Sequence, residues 1–314
     1  MKIRGVPKLF AFARQLWPLL GASAIFLAAS AVLVQQVRQR CDGKVIYPLD
    51  DTYIHMALAR NLAFHGTWGV TPGEFSSSSS SPLWTLCLAG AFALGGPNDL
   101  LPLALNIGAG IGLLTTAWYF GHRQQWSAGW NFAVLLGILI LTPLPSLAVL
   151  GMEHVLQAWT SLALICLAVE LFSYSTQEQR LGHIAWLFVA AVLACATRYE
   201  GLFLVFAVCV CAVLCRRPKL AVCLGLVSLI PAAAYAVVSL RHGSLWAPNS
   251  VLLKGAMPDF HSVRGIGTFL GIRGLNALSQ QPHLLCLLFT LVALWLLTAR
   301  RRQWTQDRLF NSVA

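Results

Sequence analysis

The chain has 314 residues, 57% of them hydrophobic and 11% charged, with a formal net charge of +11 and a mean hydropathy of +0.69. That apolar excess excludes an ordinary soluble domain. Repeated uncharged runs of bilayer length predict an all-α polytopic membrane protein. The positive charge sits in short loops such as "CRRPK" and "ARRRQ", with no basic stripe interleaved with aromatics, so it reads through the positive-inside rule and implies no nucleic-acid partner.

In chain order, Lys2, Arg4, Lys8 and Arg14 precede an apolar run from Trp17 to about Gln36. It is too long for a signal-peptide core and lacks a small-residue cleavage site, so it reads as a retained first span. The stretch "YPLDDTYIHMALARNLAFHG" follows. Pro48 favours an extended approach, residues 51–65 read as helix, and Gly66 is a natural stop. Ile54, Leu58 and Leu62 recur every fourth residue, which predicts an amphipathic helix on the membrane surface. Asp50 and Asp51 at its head admit two readings. They are an N-cap and a partner for the helix dipole, or a general base or metal ligand held at a rigid helix start. Asp51 and His55, four residues apart on one helical face, either orient the carboxylate or form a surface pair, the second being the preferred reading.

The serine run at 76–81 reads by composition as a loop or linker. The apolar run 83–95 is short for a crossing and predicts a second juxtamembrane helix. Further apolar runs cover roughly 100–120, 131–147, 154–172, 183–197, 201–215, 219–240 and 283–299. The runs 183–197 and 201–215 form a hairpin, because one helix over both would be about 50 Å long. Its tip, "RYEG", places Arg198 and Glu200 where they must be paired or hydrated. The nine cysteines lie mostly inside apolar runs and read as small hydrophobes.

Placing the basic loops "GHRQQW", "TQEQRLGH", "CRRPK" and "ARRRQ" inside puts "GMEH", "TRYEG" and "HGSLWAPNSVLLKG" together outside. If 83–95 does not cross, the Asp50/Asp51 loop joins them and both termini are cytoplasmic. The expectation is one integral membrane domain over 1–314 with about eight spans. Its first external loop covers 37–99, with juxtamembrane helices 51–65 and 83–95, and a later external loop covers 241–282.

The segment from Leu49 to Gly90 resembles the first external loop of GT-C glycosyltransferases, polytopic enzymes that use polyprenyl-phosphate-linked sugars. The likeness is nearest to bacterial arabinofuranosyltransferase and O-mannosyltransferase types. It is carried by Leu49-Asp50-Asp51, Asn61-Leu62, Pro72-Gly73-Glu74 and Ser81-Pro82-Leu83-Trp84. It continues in "GMEH" with Glu153, in "TRYEG" with Arg198 and Glu200, and in "APNSVLLK" with Pro248, Asn249 and Lys254. Tyr199 stands where that pattern usually has proline.

The resemblance implies a GT-C-like helical bundle in a bacterial inner membrane, working on its external face. An acceptor hydroxyl on a cell-envelope glycan, lipid or protein attacks the donor sugar, and polyprenyl phosphate leaves. Asp50 is implied as base, with Asp51 second. Arg198 and Lys254 would meet the leaving phosphate. Glu153 and Glu200 would bind sugar hydroxyls, a cation or Arg198, and His55, Glu74 and Asn249 fall in the matched elements as substrate-binding residues. A divalent cation, Mg or Mn, held by Asp50, Asp51 and Glu153 is an option. The rival readings are a transporter or flippase for a lipid-linked sugar, and a truncated, non-catalytic relative.

Overall fold

A computed structural model of the protein describes residues 6–173 and 181–249, together with 262, 265 and 267. The chain divides into two compact units, 1–254 and 255–314, and the account below concerns the first. Lys254, the apolar run 283–299, the loop "TQEQRLGH" up to Arg180 and nearly all of 250–282 lie outside the described residues.

Among the described residues every regular element is a helix. They are α1 (Val6–Arg40), α2 (Asp50–His65), α3 (Pro82–Gly95), α4 (Leu101–Arg123), α5 (Ala128–Leu141), α6 (Leu144–Val149), α7 (His154–Ser173), α8 (Leu181–Thr197), α9 (Gly201–Leu214), α10 (Pro218–Ser228) and α11 (Ile230–Arg241). By length and composition, four stretches can cross a membrane: Gln15–Arg40, Leu101–Arg123, His154–Phe172 and Pro218–Arg241, the last running through α10 and α11. The chain therefore has the build of an all-α membrane protein. Among the described residues length and composition mark four such helices; of the eight expected spans, 283–299 lies outside those residues, and α3, α5, α8 and α9 are apolar but shorter.

The shorter helices have local causes. The run expected over 131–147 breaks after Leu141. Pro143 and Pro145 lack backbone donors and cannot continue a helix ladder, so the chain restarts as the six-residue α6. The hairpin of α8 and α9 turns at residues 198–200, as expected; at ~1.5 Å per residue the arms are about 26 and 21 Å long.

One core packs α1 against α4, α5, α6 and α7 through Phe26, Leu113, Leu114, Leu135, Leu144 and Val155. A second joins α7 to α8, α9 and α10 through Leu164, Leu187, Ala191, Val205 and Leu224. Hydrogen bonds then sort the helix ends. The Tyr47 hydroxyl donates to the Asp99 carbonyl at 2.6 Å and accepts from the Leu103 N–H at 3.2 Å, so the exit of α1 meets the entry of α4. At the other end, Trp118 Nε1 donates to the Gln15 carbonyl, Arg217 to the Leu171 carbonyl, and Arg123 lies 3.7 Å from Glu170. The segment from 41 to 100 thus leaves and rejoins the helices at one end.

Helix α2 departs from the amphipathic surface helix expected of it. Its buried residues are Thr52, His55, Leu58, Ala59 and Asn61, while Tyr53 and Phe64 are exposed. Of the stripe Ile54, Leu58 and Leu62, Leu58 is fully buried, Leu62 packs on the cluster that α2 makes with α3 through Ala59, Trp84, Leu88, Ala89 and Phe92, and Ile54 is half-buried, so the inward face is wider than the stripe. The buried polar groups find partners. Thr52 donates to the Leu150 carbonyl, and Asn61 Nδ2 donates to the carbonyls of Gly69 and Val70. The turn after α2 closes on Gly66, whose φ of 65° is left-handed.

The serine run is not a linker. Ser77, Ser79 and Ser81 are buried in alternation, as in an extended strap with one face inward. Ser77 Oγ bonds Tyr235 on α11 at 3.0 Å, Ser79 Oγ bonds Thr85 on α3 at 3.1 Å, and the Asn249 N–H donates to the Ser77 carbonyl. A small side chain with a hydroxyl suits a strap that must lie close to helices, and Ser77 and Ser79 satisfy theirs, while Ser81 Oγ receives no hydrogen bond among the described residues.

Candidate functional site

The end of the helices that holds Tyr47 also holds the start of α2, the turn 150–153 and the hairpin tip 198–200. The turn is fixed from two sides. Asn106 on α4 donates to the carbonyls of Ala148 and Met152, at 3.3 and 2.9 Å. Gly151 adopts φ 74°, and a Cβ there would stand 2.5 Å from the Tyr47 ring and 2.8 Å from Thr52 Cγ2. Gly151→Ala combines left-handed strain with overpacking, so it should destabilise the protein by about 2–4 kcal/mol. Unfolding in detergent measures this; a wild-type transition would rule out so close an approach of the turn to α2.

That turn buries Glu153 at 1% exposure. Its Oε1 accepts from Arg198 Nη1 at 2.6 Å. The remaining edge of the guanidinium faces Glu200: Nε donates to Oε2 at 3.3 Å and Nη2 to Oε1 at 2.7 Å. Glu153 Oε2 receives no hydrogen bond among the described residues and lies 3.7 Å from His55 Nε2. His55, 4% exposed, is held through Nδ1 by Thr85 Oγ1 at 3.1 Å, with Ser79 Oγ at 3.4 Å. The carboxylate favours the N–H on Nε2, which leaves Nδ1 to accept from a hydroxyl.

Burial pushes the His55 pKa below the ordinary histidine value; the charges of Glu153 and Asp51 pull it back up, and Arg198 and His154 push it further down. The net shift is downward, so the imidazole is neutral near pH 7. The unfolded chain then takes up a proton that the folded chain refuses. Stability is full above the unfolded value near 6.5 and falls as pH drops below it toward the folded value. The expected result is a melting temperature that declines below about pH 6.5, less steeply in His55→Gln. Parallel pH profiles for the two chains would contradict this.

Burial raises the Glu200 pKa, but the hydrogen bonds and charge of Arg198 outweigh it, and the net value is below the usual carboxylate range. Burial likewise lowers that of Arg198, and Glu200 and Glu153 more than restore it.

The other expected residues fall as follows. Asp50 is the exposed first residue of α2, and its Oδ1 accepts from the Asp51 N–H at 3.0 Å. Leu49 occupies the N-cap position without a side-chain cap bond, so neither aspartate is the N-cap; both lie in the first turn, where the helix dipole favours them. Asp51 is half-buried and acts on His55, which is buried, so the two are not a surface pair. Glu74 is exposed on the turn after α2 and is not brought into the cluster. Asn249 is exposed and engages the serine strap through its backbone. Among the described residues no three His, Cys, Asp or Glu side chains gather as a metal-ligand set, and one oxygen of Glu153 is already committed to Arg198.

Residues not singled out from the sequence complete the site. Thr85 and Ser79 orient His55. Tyr235 packs edge-on against both Tyr199 and Trp68, with ring centroids 6.1 and 6.2 Å apart. The local signal for Thr85 is a polar residue on the same face of α3 as Leu88 and Ala89; nothing local marks Ser79 or Tyr235.

Fold and site define an all-α membrane protein with a half-buried acid–arginine cluster at one end of its helices. No protein-family model, curated protein or solved structure matches the chain.

Proposed function

We propose that the protein is a membrane glycosyltransferase of GT-C type, moving a sugar from a polyprenyl-phosphate donor to an acceptor hydroxyl. The observation that supports this most is the meeting of three separated motif segments at one end of the helices. The start of α2, Glu153 and the Arg198–Glu200 tip come within bonding reach through His55. On this reading α1, α4, α5 with α6, α7, α8, α9 and α10 with α11 cross. The site then faces outward from a bacterial inner membrane and the amino terminus faces the cytoplasm.

Asp50, solvent-facing at the helix start, takes the acceptor's hydroxyl proton as the oxygen bonds to the anomeric carbon. The bond from that carbon to the donor phosphate breaks, its electron pair stays on the phosphate oxygen, and Arg198 and Lys254 meet the developing charge. The divalent cation enters no step. A transporter or flippase would be favoured by charges at mid-membrane depth; here the charged cluster lies at one end.

The test is incubation of membranes holding the protein with polyprenyl-phosphoryl pentose and hexose donors, followed by mass spectrometry of extracted lipids. Donor consumption with release of polyprenyl phosphate is expected. Sugar-lipid movement across vesicles with every donor left intact would replace the reading with transport.

A further inference from the structure

Arg198 presents two edges that differ in kind. Nη1 is held from within by Glu153, which is fully buried on a turn pinned by Asn106 and Gly151. Nε and Nη2 form the planar fork that matches carboxylate and phosphate oxygens alike. Glu200 occupies that fork at 3.3 and 2.7 Å, yet its side chain is 58% exposed, against 1% for Glu153. An exposed ion pair is held weakly, whereas a buried one is costly to break. Glu200 also has somewhere to go. It is the N-cap residue of α9 without a side-chain cap bond, so a released carboxylate stays beside a helix start whose dipole favours it.

We propose that Glu200 is a resident stand-in for phosphate on the Nε/Nη2 edge of Arg198, displaced when a phosphate mono- or diester binds there. The incoming phosphate displaces Glu200 while Glu153 keeps hold of Nη1. This deepens the glycosyltransferase reading and rests on it for the donor's identity: the phosphate gains a fixed seat, and the empty site is kept closed by its own carboxylate. With Glu200 in place, Arg198 faces two carboxylates and the cluster repels anions. With Glu200 displaced, the same guanidinium bridges a buried acid and the ligand.

The experiment uses the full chain in detergent, with farnesyl phosphate and inorganic phosphate as probes and binding read by calorimetry. Glu200→Gln removes the competing charge and should bind farnesyl phosphate about three- to ten-fold more tightly than wild type. Arg198→Lys keeps a cation for Glu153 but loses the fork; it should bind at least about ten-fold more weakly, and adding Glu200→Gln to it should restore nothing. The same pattern with inorganic phosphate makes the phosphate group itself sufficient. The pattern with farnesyl phosphate alone assigns the site to a lipid-linked phosphate.

Equal or weaker binding by Glu200→Gln, a gain that survives Arg198→Lys, or no binding of either probe by any of these chains overturns the proposal. Phosphate binding with this pattern in a chain that transfers no sugar would sink the transferase and leave the fork standing. Sugar transfer in a chain whose phosphate affinity ignores Glu200 would do the reverse.

Discussion

On the proposed transferase reading, Asp50→Asn should lower sugar transfer by about 10²–10⁴-fold and leave expression and membrane insertion at wild-type levels. The size is that of a lost general base. The selectivity follows from how little of the fold uses this carboxylate. Asp50 is exposed, and its hydrogen bond is to Oδ1 from the next residue's N–H, which the asparagine oxygen can also accept. The substitution therefore removes a charge and a proton acceptor while keeping volume and the local bond. Asp51→Asn is the informative comparison, because Asp51 is half-buried and electrostatically coupled to His55. A smaller loss in Asp51→Asn fits a supporting role. Full transfer in Asp50→Asn together with a collapse in Asp51→Asn would move the base by one residue, and full transfer in both would remove an aspartate base from the mechanism.

What the sequence shows of this protein is whatever depends on neighbours a few residues away. The apolar runs at 100–120 and 154–172 correspond to helices Leu101–Arg123 and His154–Ser173, and the hairpin at 198–200 followed from a length no single span could have. The break in the run 131–147 is also local: Pro143 and Pro145 interrupt an otherwise apolar run, and backbone donors rather than apolarity decide whether a helix continues. The inward face of α2 was not local. Ile54, Leu58 and Leu62 make the apolar stripe, but the buried face extends past it and sets Thr52, His55, Ala59 and Asn61 inside as well. Six serines carry no pattern of their own, so their alternating burial became visible only with Tyr235 and Thr85 beside them. The bond from Arg198 to Glu153 spans 45 residues of sequence, and its two motifs shared only an inferred side of the membrane.

That same bond sets the second large effect. Arg198→Ala should destabilise the protein by about 3–5 kcal/mol, because it leaves the Glu153 carboxylate buried at 1% exposure without its cation. Glu200→Gln should cost no more than about 1 kcal/mol, since its half of the cluster is largely hydrated. Unfolding by titration with sodium dodecyl sulfate compares the two. The double variant Arg198→Ala/Glu153→Gln should recover most of the loss, because a neutral amide of the same shape no longer needs a counter-charge. Recovery separates an orphaned charge from the loss of arginine's packing, which the second substitution cannot restore. If Arg198→Ala is no more harmful than Glu200→Gln, Glu153 does not depend on Arg198 for its charge, and the inner anchor on which the phosphate fork relies is absent.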